Sequence, residues 1–154
     1  MSSDFFHYTF LDGRLIGSEE PGALGSPELR VRSMMAGRTP LTLLTLTPRT
    51  RAYALAGLTQ FHVPLEGLPT RDQVAEAVQI VRERLALGDC VWVHCQHGLD
   101  RTGVVIGGYL VQSGEEADQV IAMLMDRFPP ARRHPRMREL WRPYEELIRS
   151  FART

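Results

Sequence analysis

Residues 90–112 read Cys90-Val91-Trp92-Val93-His94-Cys95-Gln96-His97-Gly98-Leu99-Asp100-Arg101-Thr102-Gly103-Val104-Val105-Ile106-Gly107-Gly108-Tyr109-Leu110-Val111-Gln112. The first five are a short, mostly apolar run with β-branched and aromatic side chains, the pattern of a buried strand. Thr102 to Gln112 is apolar nearly all round, the pattern of a buried helix. A polar loop with one glycine joins the two. A fully apolar strand feeding a loop and a buried helix predicts an α/β fold: a single three-layer domain with a central, mainly parallel sheet flanked by helices. In such sheets ligands collect at the carboxyl ends of the strands, and the loop after His94 lies there.

Working outward, the same alternation continues. Thr70 followed by Gln73 fits a capping box, and Val74, Val78, Val81 and Leu85 then mark one face of a helix that ends at Gly88. Leu41 to Leu46 reads as a strand closing at Pro48, and Thr59 to Val63 as another, with a short helix expected over Arg51 to Ala56 between them. Ser26-Pro27-Glu28 is a helix start, with the helix running to Met35 and ending at Gly37. Tyr8 to Ile16, broken by Asp12-Gly13, reads as a hairpin. Beyond the central segment, a helix from Glu115 to Arg127 turns Val120, Ile121, Leu124 and Met125 inward, and Pro129-Pro130 breaks it. A last helix is expected over Pro135 to Phe151, with Met137, Leu140, Trp141, Tyr144, Leu147 and Ile148 as its apolar face.

Composition narrows the classes. The chain has 154 residues, 44% hydrophobic and 23% charged, a globular mix that argues against disorder. All 18 cationic residues are arginine, and 18 acids cancel them. A neutral chain is not a general nucleic-acid or membrane-surface binder, so no double-stranded nucleic acid is expected as a partner. The longest nearly apolar run, Val104 to Val111, is far short of the ~20 residues of a membrane span. The opening Met1 to His7 carries no basic and apolar leader pattern. Cys90 and Cys95, five steps of ~3.3 Å apart if on one strand, are too distant to pair. Two free thiols point to a reducing compartment, and the expected location is cytoplasmic.

The loop after His94 has the logic of an anion cradle. A tight loop entering a helix N-terminus turns successive N–H groups inward, and Gly98 permits the backbone geometry this requires. Arg101, at the helix start, offers a planar fork matched to two phosphate oxygens. The same field favours a thiolate at Cys95, which would then be a nucleophile toward a bound phosphate. Thr102 would donate its hydroxyl to the sulfur, and His94 would steady the loop. Adjacent His94 and Cys95 point to opposite faces of a strand end, so with His97 they make a poor zinc site. No metal and no cofactor are expected.

The string His-Cys-x-x-Gly-x-x-Arg-Thr-Gly resembles the signature of the cysteine-dependent protein tyrosine phosphatase superfamily, and the short chain is similar to its dual-specificity (atypical) branch. Phe61-His62-Val63-Pro64 resembles the strand that leads into that family's general-acid loop, and Thr70 to Leu87 the helix that follows. The likeness covers roughly Leu41 to Trp141. It implies hydrolysis of phosphate esters through a cysteinyl-phosphate intermediate, without metal, on phosphotyrosine and also phosphoserine or phosphothreonine in proteins. By motif position Cys95 is the nucleophile, Arg101 the phosphate clamp and Thr102 the helper hydroxyl, with His94, Gln96, His97, Gly98 and Leu99 completing a phosphate-binding loop. Residues 1–154 are then one cysteine-phosphatase domain, with 1–40 an N-terminal hairpin and helix and 41–154 the catalytic core.

The pattern departs at the acid. Where the family places an Asp after the Val-Pro strand end, this chain has Leu65 and then Glu66. Three carboxylates compete. Glu66, in the right loop, ranks first. Asp100, beside Arg101, follows, its alternative role being an ion pair that positions that arginine. Asp72, at a helix start, is third. The tetrad Cys-x-His-Gly also resembles the RNA 5′-triphosphatase branch, so a non-protein substrate such as a phosphoinositide or an RNA 5′-triphosphate is the second reading. A phosphate-binding pseudoenzyme is third, since Cys95, Arg101 and Thr102 are all present. Finally, residues 127–142 hold six arginines and one acid. Arg132, Arg133 and His134 at its centre are either a solvated face or a rim that attracts anionic substrates.

Overall fold

The computed structural model describes residues 5–153. In chain order the elements are β1 (His7–Phe10), β2 (Leu15–Ser18), α1 (Pro27–Met35), β3 (Leu41–Thr45), β4 (Leu58–His62), α2 (Arg71–Ala86), β5 (Cys90–His94), α3 (Asp100–Gln112), α4 (Ala117–Arg127) and α5 (Pro135–Arg149). The strands form one five-stranded sheet in the order β1-β2-β5-β3-β4. All neighbours run parallel except the β1–β2 hairpin at the edge. The central strand is therefore the one that leads into the loop after His94.

Side-chain parity explains the layers. Along β5, Val91 and Val93 face one side of the sheet and Trp92 the other. Leu15, Leu44 and Leu46 join the first side, where α2, α3, α4 and α5 close the larger core. Ile16, Leu41 and Leu43 join Trp92 on the second side, under Val31 and Met34 of α1. Both faces are thus covered, which is why β5 reads as a continuous apolar run rather than an alternating one. α3 is enclosed because its glycines admit close neighbours. A Cβ on Gly107 would stand 2.8 Å from Ile148, and one on Gly108 3.0 Å from Phe151.

Local signals account for the boundaries. Ser26 accepts from the N–H of Leu29, and Thr70 and Gln73 form the reciprocal capping box at the start of α2. The hairpin turns through Leu11, Asp12 and Gly13, all in the left-handed region. Two expectations fail. Arg51 to Ala56 is not a helix but an irregular segment, held by Gln60 of β4: its amide accepts from the N–H of Tyr53 and donates to the carbonyl of Arg51. Leu140, expected in the buried face of α5, is 70% exposed, because Trp141 and Ile148 set the side that packs inward. The reading of the opening residues falls largely on 1–4, outside the described residues. Among the described residues no helix is long and apolar enough to cross a membrane.

Candidate active site

Cys95 is the first residue after β5 and is 2% exposed. The chain then turns through Gln96, His97, Gly98 and Leu99 into α3. Among the described residues the N–H groups of these four have no acceptor, and no side chain caps the start of α3. Unpaired donors at a helix N-terminus make a cradle of positive potential beside the sulfur. Gly98 makes the turn with φ +78°, and a Cβ there would stand 2.5 Å from the backbone carbon of Ser18. Both conformation and space therefore require glycine at this position.

The loop is held from beneath. The buried hydroxyl of Tyr8 donates to the carbonyl of Gly98 at 2.9 Å. Burial, with the neighbouring Cys95, pushes that hydroxyl well above its ordinary value, so it remains a donor. From the other side, the N–H of Glu20 donates to the carbonyl of Gln96 at 3.2 Å. The buried His94 shares a hydrogen bond with Thr45 Oγ1, Nε2 to oxygen 3.0 Å, and its Nδ1 lies 3.4 Å from the Cys95 carbonyl oxygen. Burial lowers His94 to about 4, so its ring is neutral at pH 7. Thr102 is fully buried, and its hydroxyl has no partner among the described residues.

Arg101, in the first turn of α3, donates through Nη1 to the carbonyl of Leu65 at 2.8 Å. Leu65, in the slot where an acid is expected, is fully buried in the larger core, and its N–H donates to the Leu46 carbonyl. Alternation along this extended segment leaves Glu66 exposed, immediately after the carbonyl that Arg101 grips. Asp72 lies exposed in the first turn of α2, where it complements the helix dipole.

Asp100 is ion-paired, but to Arg132 rather than to the adjacent Arg101. This corrects two expectations together. Asp100 does not position Arg101, and Arg132 is not free on a rim, since its side chain is 13% exposed and lies over the Phe128 ring. Its neighbours are also committed. Arg133 donates to the carbonyl of Asp126, and His134 caps α5 by accepting from the N–H of Arg136. The Arg127 guanidinium lies 4.3 Å over the Phe10 ring.

Several contributors escaped the sequence reading. Tyr8 counted only as a strand residue and Tyr144 only as part of an apolar helix face. The structure links them through a ladder of ring contacts, Tyr8 to Phe128, Phe128 to Trp141 and Trp141 to Tyr144. The hydroxyl of Tyr144 reaches the Gly67 carbonyl at 3.5 Å, beside the Glu66 loop. Burial raises Tyr144 above its ordinary value, with Asp100 adding to the rise. Strand parity was the one available signal for Tyr8; for Tyr144 there was none. A cleft of about 290 Å³ is lined by Arg101, Gln96, Glu20, Thr47, Pro48 and Arg49.

Residues 34–115 match the family described as "Polymorphic toxin system, DSP-PTPase phosphatase". Over 66 residues the chain is 38% identical to the human phosphatidylglycerophosphatase and protein-tyrosine phosphatase 1, a match covering 40% of this chain and 33% of that protein. Over 77 residues it is 36% identical to a tyrosine-protein phosphatase of Autographa californica nuclear polyhedrosis virus, covering 49% of this chain and 44% of the viral one. These matches span less than half the length of either relative. Among solved structures, Tk-PTP in its active form superposes with a TM-score of 0.63 at 24% identity, over 89% of this chain and 95% of that one. The core catalytic domain of the PP-IP phosphatase SIW14 from S. cerevisiae gives a TM-score of 0.65 at 17% identity, over 89% and 80%. At such identities the structural likeness concerns the fold.

Proposed function

Because the chain belongs to the DSP-PTPase phosphatases, in the dual-specificity branch of the cysteine-dependent protein tyrosine phosphatase superfamily, we propose that it hydrolyses phosphate monoesters through a cysteinyl-phosphate on Cys95, without metal. The observation that carries the reading is the buried Cys95 at the head of a loop whose next four N–H groups have no acceptor among the described residues, with Arg101 at the helix start fixed to the Leu65 carbonyl. In this reading the phosphate oxygens take those N–H groups and the remaining donors of Arg101.

The chemistry follows in two steps. The Cys95 thiolate attacks phosphorus, the bond to the leaving oxygen breaks, and Glu66 gives that oxygen a proton. Then the Glu66 carboxylate takes a proton from water, whose oxygen attacks phosphorus. The sulfur–phosphorus bond breaks and inorganic phosphate departs. Thr102, with its hydroxyl unspent, donates to the sulfur as it leaves. Glu66 is ranked above Asp100 because the latter is engaged by Arg132.

Phosphotyrosine, with phosphoserine and phosphothreonine, in proteins is the first substrate class, and the cytoplasm the setting in which the thiol stays reduced. A non-protein phosphate ester is the second reading, favoured by the arginine-bordered cleft beside Arg101. The curated human relative and the structural neighbour PTPMT1, solved in complex with PI(5)P, carry names of that kind. A panel of phosphopeptides, phosphoinositides and triphosphorylated RNA decides between them. Turnover of phosphopeptides at the highest kcat/KM supports the first class, and turnover of the others alone overturns it.

A further inference from the structure

The cleft over Arg101 continues into a second one. The two share Glu20, Thr47 and Arg49, and the second, of about 240 Å³, extends to Arg51, Tyr53 and His94. The wall carrying both arginines is the irregular segment between β3 and β4. Its backbone is bound down: Thr47 Oγ1 donates to the Arg49 carbonyl at 2.7 Å, Gln60 donates to the Arg51 carbonyl at 2.7 Å, and His62 Nε2 lies 2.7 Å from the Thr47 carbonyl oxygen. These three carbonyls are thus satisfied without either guanidinium.

The guanidiniums are left to the clefts. Among the described residues neither Arg49 nor Arg51 makes a side-chain hydrogen bond or an ion pair. This contrasts with Arg132 and Arg133, which are both paired. Arg49 and Arg51 line one cleft together, and Arg49 also lines the cleft of Arg101, so the two unpaired cations have an unfilled demand for negative charge. One carboxylate, that of Glu20, lines both clefts. It cannot bind phosphate, but it accepts hydroxyl hydrogen bonds, as does Thr47. The joined clefts therefore carry cations suited to phosphates and acceptors suited to hydroxyls.

We propose that Arg49 and Arg51 form a second anion subsite, taking a second phosphate of a bisphosphorylated polyol whose first phosphate lies over Cys95. The proposal rests on the phosphatase reading of the Cys95 loop and develops its second substrate class, the non-protein phosphate esters. A soluble polyol bisphosphate and the headgroup of a lipid share this chemistry. Small clefts totalling a few hundred Å³ suit a compact ring more than an extended peptide.

The test is binding and turnover with the full chain. Calorimetry on Cys95→Ser protein compares a soluble inositol bisphosphate with the monophosphate, and repeats the pair as micellar phosphoinositides. The bisphosphate is expected to bind at least about tenfold more tightly. That preference should vanish in the Arg49→Ala/Arg51→Ala background and survive in part with Arg49→Lys/Arg51→Lys. In the Cys95-containing enzyme, the bisphosphate-to-monophosphate ratio of kcat/KM should fall by the same factor in the alanine pair, chiefly through KM. Preference in either the soluble or the micellar arm supports the subsite, and the stronger arm identifies the source. Equal binding of mono- and bisphosphate, or a preference untouched by the alanine pair, overturns it. So does a preference confined to a doubly phosphorylated peptide. Because binding is read without turnover, an inactive enzyme that still prefers the bisphosphate would sink the catalytic reading alone.

Discussion

Arg101 Nη1 donates to the carbonyl oxygen of Leu65 at 2.8 Å, tying the start of α3 to the segment that carries Glu66. One guanidinium thus serves two loops. One donor fixes the segment after β4, and the proposed reaction assigns the others to the phosphate. The link joins the loop after Cys95 to the segment of Glu66, the two residues given the nucleophile and acid roles in the proposed reaction.

Arg101→Lys keeps the charge and loses the fork. It should lower kcat/KM for p-nitrophenyl phosphate by about 100-fold or more. Its melting temperature should stay close to that of wild type, since the lost bond is partly exposed. Steady-state kinetics with a thermal melt checks both. Near-normal turnover would mean the fork is not used.

Glu66→Gln should slow alkyl phosphates by about 100-fold or more and aryl phosphates much less, because a phenol of pKa ~10 departs with less help than an alcohol. Asp100→Asn should cost less on either substrate, as Arg132 holds its carboxylate. Parallel rates on serine- and tyrosine-phosphate peptides decide it. A larger, leaving-group-dependent loss in Asp100→Asn would transfer the acid role to Asp100.

Tyr8→Phe deletes the bond from the hairpin hydroxyl to the Gly98 carbonyl. A buried acceptor without its donor costs about 1–3 kcal/mol. Urea denaturation should show that loss, with kcat lowered as the cradle loosens. Gly98→Ala should be worse, since the added Cβ meets the Ser18 backbone at 2.5 Å in a left-handed conformation. A Gly98→Ala protein as stable and active as wild type would contradict the geometry.

Much of this was legible in the sequence, for a physical reason. β5, α3 and the loop between them are specified locally, by an apolar run, a glycine at a left-handed position and small residues along a buried helix. Capping residues likewise wrote the starts of α1 and α2 into four-residue windows. What stayed hidden was tertiary. The partner of Asp100 lies 32 residues away at Arg132, and the donor to Gly98 lies 90 residues away at Tyr8. The arginine-rich stretch after Arg127 drew attention by density, yet its central residues are spent on internal pairs. Arg49 and Arg51, unremarkable in sequence, face the cleft because Gln60 and His62 hold their backbone. The helix expected at Arg51 to Ala56 was lost to those same bonds.

His94 gives stability a pH dependence. Burial lowers it from its ordinary 6.5 to about 4 in the folded chain. Between those values the unfolded chain binds the extra proton, so stability is full above about pH 6.5 and falls as pH drops toward 4. The shift is worth on the order of 3 kcal/mol. Urea midpoints from pH 7.5 to 4.5 should decline, and His94→Gln should flatten the decline. An identical slope in the variant would show that other groups carry it.

The most direct measurement is p-nitrophenyl phosphate hydrolysis by the wild-type chain and by Cys95→Ser, with the folded state of each checked by circular dichroism. If Cys95 is the nucleophile, the wild type turns over and the folded serine variant is slower by about 1,000-fold or more. A folded Cys95→Ser protein that hydrolyses the ester as fast as wild type would contradict the cysteinyl-phosphate account.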